Sequence, residues 1–223
     1  MILTYGIIAA ILLIAELVYF KIADHFNIID KPNERSSHST IVLRGGGIIF
    51  SLSMIVWAVW MMVNGSWVTV QGYLPFMVGL ILICGVSFWD DIHSLPDSLR
   101  MAVQIVSTLL MFWSVGLYAA FDSWWIMALV VVIALFFCVG ATNFINFMDG
   151  INGITAAYSL AMLIPLLAVQ GSWFLDEPSD IVERKVQGVP EFIEPSYLIV
   201  AIIGVLVFSI FNFRPKGKAK CFA

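Results

Sequence analysis

Long apolar runs separated by short polar segments are the main pattern of this sequence. Seven runs are long enough to cross a bilayer as a helix, which takes about 17–25 residues. They lie at residues 2–20, 45–63, 73–89, 101–121, 124–141, 153–169 and 197–213. The sixth run is short and contains Pro165. The pattern predicts an all-α, polytopic membrane helix bundle of about seven transmembrane helices, with no inserted soluble domain.

The composition supports a membrane location. Of the 223 residues, 61% are hydrophobic and 12% are charged, and the mean hydropathy is +0.98. Soluble domains carry about 25% charged residues. The net charge of −4 argues against a nucleic-acid partner. The three cysteines show no spacing typical of disulfides or zinc sites.

The basic residues predict an orientation. All but two of the 11 Lys and Arg residues fall in the first and third loops and in the C-terminal tail. The exceptions, Arg184 and Lys185, lie in the acidic segment 171–196. Because cytoplasmic loops carry an excess of Lys and Arg, we predict that the N-terminus is outside and that loops one, three and five are cytoplasmic. Glu16, near the inner end of the first span, is expected to snorkel to the interface.

The first predicted cytoplasmic loop is basic and ends in three glycines. Its candidate phosphate-binding residues are Lys31, Arg35, His38 and Arg44, and Gly45-Gly46-Gly47 follow. Cations hold phosphate, and glycine lets backbone N–H groups approach an anion closely. The alternative is a basic anchor for anionic lipid headgroups, followed by glycines that aid helix packing.

The third loop opens with two adjacent carboxylates, Asp90 and Asp91. Neighbouring carboxylates repel each other unless a cation compensates, and only Arg100 is close in sequence. A divalent ion with oxygen ligands, Mg²⁺ above all, would compensate them. The alternative is a solvated helix end.

The fifth loop carries the most specific polar cluster. Asn143, Asn146 and Asp149 are three residues apart, so a helix would place them on one face. Gly150, Asn152 and Gly153 then allow a tight turn into the next span. Polar side chains at membrane depth are costly and usually mark a site. A carboxylate-rich pocket beside a basic loop is suited to a metal-bridged phosphate substrate, and membrane burial suggests that one substrate is itself a lipid.

At these residues the sequence resembles the polyprenyl-phosphate N-acetylhexosamine-1-phosphate transferases. The shared motifs are P-N-x-R-S-S-H…R-G-G-G at residues 32–47, D-D…R…Q at residues 90–104, and N-x-x-N-F-M-D-G-I-N-G at residues 143–153. The resemblance implies a single transferase domain over residues 1–223 in the bacterial inner membrane. It implies transfer of a phosphosugar from a UDP-N-acetylhexosamine to undecaprenyl phosphate, with release of UMP, as the priming step of surface polysaccharide synthesis. Mg²⁺, or Mn²⁺ in its place, is the implied cofactor, and a homodimer is left open.

The resemblance also implies roles for individual residues. The implied catalytic residues and metal ligands are Asp90, Asp91 and Asp149. The implied substrate contacts are Lys31, Arg35, His38, Arg44, Asn143, Asn146 and Asn152.

The sequence departs from the family pattern in two places. Leu43 stands where the family commonly has proline. Family members also continue beyond a segment like Lys220-Cys221-Phe222-Ala223 into G-D-x-G-S, whose aspartate is a metal ligand, and reach 10 or 11 helices. We therefore expect a C-terminal truncation that leaves the isolated chain inactive. The competing interpretations are a transporter with a polar vestibule, a phosphotransferase of the CDP-alcohol type, and a non-catalytic membrane fragment.

Overall fold

Seven α-helices make up most of the computed structural model, which describes residues 2–30, 41–148, 153–170, 193–213 and 220–221. The helices are α1 Ile2–His25, α2 Ile48–Val63, α3 Trp67–Ile92, α4 Asp97–Ser114, α5 Trp124–Met148, α6 Ile154–Gln170 and α7 Pro195–Asn212. A 3₁₀ turn, Leu117–Ala119, lies between α4 and α5. Each predicted span overlaps one helix, so the prediction of an all-α membrane bundle is confirmed.

Four of the described helices are long and apolar enough to cross a membrane. They are α1, the Trp67–Asp90 part of α3, α5 and α7. The helices α2 and α6 are apolar but shorter. At 1.5 Å per residue, the 16 residues of α2 span roughly 24 Å, which is less than the ~30 Å hydrocarbon core. The count of seven spans therefore stays a prediction.

The helix α7 forms the centre of the bundle and packs against α1, α2 and α6. Phe208 is fully buried, and its ring lies 5.1 Å from that of Phe50 in an edge-to-face arrangement. Gly204 lets α7 approach α2 closely, because a Cβ there would come within 2.9 Å of the Ser53 side chain. Small residues at a contact are the usual means of close helix packing in membranes.

The helices α3 and α4 form the second tight pair of the bundle. Pro75 lies inside α3 and lacks an N–H donor. One residue later, the Phe76 N–H donates to the Ser114 hydroxyl at 3.1 Å, and that hydroxyl donates to the Gly72 carbonyl at 2.9 Å. Ser114 therefore fastens the end of α4 to α3 at the proline. The helix α5 packs on α4 from outside, and none of its residues is buried.

A short strand pairing, which the sequence pattern does not predict, lies at the end of the bundle that carries the first loop. Ile29–Asp30 pairs antiparallel with Val42–Leu43. Leu43 also forms a parallel bridge with Cys221, in which its N–H donates to the Lys220 carbonyl at 3.0 Å. The two ends of the first loop are thus held together and joined to the C-terminal segment.

The snorkelling expected for Glu16 is wrong. Its side chain is fully buried, with Oε1 3.8 Å from the Cys221 thiol that donates to it. Oε2 has no hydrogen-bond partner among the described residues. The carboxylate cannot reach the interface because the C-terminal segment covers it. The positions of charged residues along one helix do not show that a segment distant in the sequence will bury its carboxylate.

Candidate functional site

Asp90 is held between the end of α3 and the beginning of α4. Its Oδ1 accepts a hydrogen bond from the Leu95 N–H at 2.7 Å, and its Oδ2 lies 3.3 Å from Nη1 of Arg100. Arg100 also lies 3.7 Å from Asp97, whose side chain is 96% exposed. The carboxylate of Asp90 therefore orders the α3–α4 turn and fixes one arginine beside itself.

One turn further along α4, Gln104 contacts Asn143 of α5. The Gln104 Nε2 donates to Asn143 Oδ1 at 3.2 Å, and the Asn143 Nδ2 donates to Gln104 Oε1 at 2.7 Å. The Asn143 Nδ2 also donates to the Val139 carbonyl at 2.9 Å. This amide pair fixes the rotation of α5 against α4 and therefore decides which residues of α5 face the site.

A polar pocket of about 360 Å³ lies between these elements. Asp90 and Arg100 line it from the α3–α4 side, and Asn146 lines it from α5. The remaining described residues of its lining are Phe50, Ile83, Val86, Ser87, Val103, Gln104, Thr142, Ile145 and Thr155. The pocket thus brings the third-loop and fifth-loop clusters of the sequence together at one end of the bundle.

The predicted shared face of Asn143 and Asn146 is confirmed for these two residues. Asn143 bonds to α4 while Asn146 lines the adjoining pocket. Phe144 and Phe147 are 64% and 69% exposed, as expected for side chains that meet lipid. Gly153 has a φ of +84°, which confirms the tight turn into α6 at that residue.

Arg44 lies in the turn that leads into α2 and is fixed through its backbone. Its carbonyl accepts from the Tyr19 hydroxyl at 2.6 Å, and its N–H donates to the Ile28 carbonyl at 3.1 Å. Gly45 follows with a φ of +76°, and a Cβ there would overlap the Tyr19 hydroxyl. The first glycine is therefore required by close contact and backbone conformation. Arg44 is not part of the pocket's described lining.

Five predicted site residues lie outside the described part of the chain: Lys31, Arg35, His38, Asp149 and Asn152. For Asp91 the structure describes the backbone, which belongs to α3. The roles that the resemblance implies for these six residues stay predictions.

The described pocket offers oxygen donors for a metal ion. Asp90 supplies a carboxylate, Asn146 an amide, and Thr142 and Thr155 supply hydroxyls. These donors suit Mg²⁺, which prefers oxygen ligands. Among the described residues, no group of three or more His, Cys, Asp and Glu side chains is arranged to hold a metal. Asp90 is the one carboxylate of the described lining, and its oxygens already contact the Leu95 N–H and Arg100, so Mg²⁺ binding at this pocket stays a prediction.

Three hydroxyl residues of the pocket, Ser87, Thr142 and Thr155, were not predicted from the sequence. Thr142 precedes Asn146 by four residues, and Thr155 lies two residues after Gly153. The four-residue spacing on α5 could have identified Thr142, because positions i and i+4 share a helix face. Thr155 gives no such signal, since its position depends on how α6 packs.

The fold and the site define a polytopic membrane protein with a polar pocket at one end of its helix bundle. The chain belongs to glycosyl transferase family 4, whose sequence profile matches residues 73–223. It is 26% identical over 206 residues to a Bacillus subtilis (strain 168) protein described as a "Probable undecaprenyl-phosphate N-acetylglucosaminyl 1-phosphate transferase". The match covers 87% of this chain and 51% of the relative, so the chain spans about half of the relative's length. No solved structure matches the chain.

Proposed function

We propose that the protein transfers an N-acetylhexosamine 1-phosphate from a UDP-sugar to undecaprenyl phosphate and releases UMP. The observation that carries the proposal is the convergence of Asp90, Arg100, Gln104 and Asn146 on one pocket at the end of a membrane bundle. Membership of glycosyl transferase family 4 and the description of the Bacillus subtilis relative support the same chemistry. They favour a transferase over a transporter or a CDP-alcohol enzyme.

The reaction exchanges one phosphoanhydride for another. A phosphate oxygen of the lipid attacks the β-phosphorus of the UDP-sugar and forms a new P–O bond. The P–O bond that joins the β-phosphorus to the bridging oxygen breaks, and UMP leaves with that oxygen. The lipid diphosphosugar remains in the membrane. Both reactants are anionic, so the site has to bring negative charges together.

Asp90 and Arg100 are suited to that electrostatic task. Arg100 has a fixed position because Asp90 holds it at 3.3 Å, so its guanidinium can meet a phosphoryl oxygen without reordering. Asp90, with Asp91 and Asp149, would hold Mg²⁺. The ion, when bound, would act as a Lewis acid on the phosphoryl oxygens. Mn²⁺ could take the same oxygen donors.

The other candidate residues divide between the two substrates in this proposal. The amide of Asn146 lines the pocket. Asn143 keeps α5 in the rotation that places Asn146 there, because its side chain is hydrogen-bonded to Gln104 of α4. We assign Asn143, Asn146 and Asn152 to the nucleotide and its phosphates. Lys31, Arg35, His38 and Arg44 of the first loop supply positive charge for the outer phosphates. The nucleotide sugar is cytosolic, so the pocket would open to the cytosol from the bacterial inner membrane, where the reaction primes surface polysaccharide synthesis.

A transfer assay in bacterial membranes tests the proposal. Membranes that contain the protein, together with any coding sequence that follows codon 223, are supplied with undecaprenyl phosphate, Mg²⁺ and radiolabelled UDP-N-acetylglucosamine or UDP-N-acetylgalactosamine. The expected result is label in the extracted lipid and an equal amount of UMP. Chelation of Mg²⁺ is expected to stop both.

The matched pair of variants for this assay is Asp90→Asn and Asp122→Asn. Asp122 is an exposed aspartate between the 3₁₀ turn and α5, outside the pocket. We expect Asp90→Asn to lower transfer by about 10²-fold or more, because the variant loses the carboxylate that holds Arg100 and would ligate the metal ion, and losing one preorganised electrostatic contact typically costs that much. Asp122→Asn should retain normal transfer. The proposal is wrong if the protein, expressed with any coding sequence that follows codon 223 and otherwise unaltered, makes no labelled lipid from either sugar nucleotide.

A further inference from the structure

A cavity with two lysines in its wall lies at the end of α1, beside the strand pair. Its volume is about 650 Å³, within the ~300–1,000 Å³ typical of ligand pockets. Leu17, Lys21 and Asp24 line it from α1, Ile41 lines it from the end of the first loop, and Lys220 lines it from the C-terminal segment. It shares no described lining residue with the polar pocket, so the two are separate sites.

The α1 wall of the cavity changes from apolar to charged within one helical turn. Ile14, Leu17 and Lys21 share one face of α1, because they are three and four residues apart. Ile14 and Leu17 are 61% and 43% exposed. The step from Leu17 to Lys21 covers about 6 Å along the helix axis. The cavity therefore lies at the level where hydrocarbon gives way to polar headgroups.

The two lysines are available to an outside partner. Lys21 and Lys220 are both exposed, and in the part of the chain that the structure describes neither forms an ion pair with a carboxylate. The Lys220 Nζ lies 5.7 Å from the centre of the Phe20 ring, within the range of a cation–π contact. The ring holds the ammonium group over the cavity and leaves its N–H donors for another acceptor.

The charges of the cavity favour an anionic occupant. Asp24 is the one carboxylate of the described lining, so the two lysines leave a net charge of about +1. A phosphodiester headgroup without an amine carries a single negative charge and would balance it. A zwitterionic headgroup has no net charge to offer, and lysines near a membrane surface attract anionic lipids.

We propose that this cavity binds the headgroup of an anionic diacyl phospholipid. The phosphate lies between Lys21 and Lys220, and an acyl chain follows the exposed apolar face of α1 past Leu17 and Ile14. The lipid fastens the C-terminal segment to α1, because Lys220 precedes Cys221, whose backbone bridges to Leu43. The lipid is a structural partner in this proposal and takes no part in the transfer reaction.

Native mass spectrometry of the protein in a neutral detergent tests the proposal. Dioleoylphosphatidylglycerol is expected to bind as one retained molecule, about tenfold more tightly than dioleoylphosphatidylcholine with the same acyl chains. Equal binding of the two lipids would overturn the proposal, since charge would then not select the occupant. Millimolar inorganic phosphate should not displace the lipid. Displacement by phosphate would show that the cavity recognises a free anion, which also overturns it.

Four charge variants locate the binding site. Lys21→Gln and Lys220→Gln should each weaken phosphatidylglycerol binding about fivefold, the usual contribution of one lysine beside anionic lipid. Asp24→Asn should tighten binding, a change that a folding defect would not produce. Lys185→Gln is the matched control, because it removes the same charge from the acidic segment 171–196.

Two outcomes of this series reject the cavity. Normal binding in both Lys21→Gln and Lys220→Gln would show that the lipid binds elsewhere. Equal weakening by Lys185→Gln would show that the total charge of the protein, and not this cavity, attracts the lipid.

Protection from trypsin tests whether the lipid fastens the C-terminal segment. Trypsin cleaves after lysine, so phosphatidylglycerol should slow cleavage after Lys220 about tenfold and leave cleavage after Lys185 unchanged. Phosphatidylcholine should protect neither site, and Lys21→Gln should reduce the protection at Lys220. Unchanged cleavage after Lys220 while mass spectrometry shows bound phosphatidylglycerol would overturn the proposal, because the lipid would then not contact the segment.

Discussion

The side-chain amides of Gln104 and Asn143 bind each other through two hydrogen bonds, of 3.2 and 2.7 Å, across the contact between α4 and α5. Gln104 is 9% exposed, so its end of the pair is largely removed from solvent, whereas Asn143 lies at an exposed position of α5. Since the side chains of α5 are mostly apolar, this polar contact is what sets the rotation of the helix. Asn146, one turn along, faces the pocket as a consequence.

The amide pair should show an energetic coupling. In a double-mutant cycle with Gln104→Leu and Asn143→Leu, we expect a coupling free energy of about 1 kcal/mol, the upper part of the range for interhelical hydrogen bonds in membranes. The measurement is unfolding in mixed micelles. Gln71→Leu, at an exposed position near the other end of α3, is the control and should change stability little. Strict additivity of the two leucine variants would show that the pair does not hold α5.

Arg100 should contribute to transfer through its contact with Asp90 and not through its contact with Asp97. Arg100→Gln is expected to reduce sugar-phosphate transfer by about 10²-fold, because the pocket loses its fixed cation. Asp97→Asn should stay within about twofold of normal, since Asp97 is 96% exposed and exposed ion pairs contribute ~0–1 kcal/mol. Initial rates at saturating substrates measure both. An equal loss of transfer activity in the two variants would mean that the contact of Arg100 with Asp97 is as necessary for transfer as its contact with Asp90.

Gly153 should tolerate alanine less well than Gly65. Both have left-handed backbone, with φ of +84° and +78°. Such a conformation costs a non-glycine residue about 1–2 kcal/mol. A Cβ at Gly65 meets nothing within 4 Å, whereas one at Gly153 would overlap the Phe213 ring. We therefore expect Gly153→Ala to lower the thermal midpoint clearly more than Gly65→Ala. Equal shifts would show that Phe213 moves aside without cost.

The predicted orientation can be tested by cysteine labelling. In a background where Cys84, Cys138 and Cys221 are replaced by alanine, Asp122→Cys should react with a membrane-impermeant maleimide added to intact cells. Ser94→Cys, in the turn before α4, should react only after the membrane is opened. Both positions are exposed, so accessibility on the correct side is not limiting. The reverse pattern would place the N-terminus inside and the pocket outside.

The helices were predictable from the sequence, whereas several contacts that shape the site were not. Apolar runs such as those of α3 and α5 report burial in lipid directly. The sequence predicted that Asp90 and Asn146 lie at the same end of the bundle. They belong to the third and fifth loop clusters, and odd-numbered loops lie on one side of the membrane because successive spans alternate in direction. The Gln104–Asn143 pair depends on the rotation of two helices, which apolar runs do not encode when nearly every face is hydrophobic. The burial of Glu16 depends on Cys221, which is 205 residues away in the chain.

The pairing of Leu43 with Lys220 and Cys221 has a consequence for biosynthesis. The first loop is translated about 180 residues before the strand that completes its pairing, so at roughly 5–20 residues per second it waits on the order of ten seconds or more. During that time Leu43 lacks its native backbone partner and Glu16 lacks its cover. Membrane insertion of α1 and α2 must therefore precede completion of the bundle's polar end, which can close only after α7 has left the ribosome.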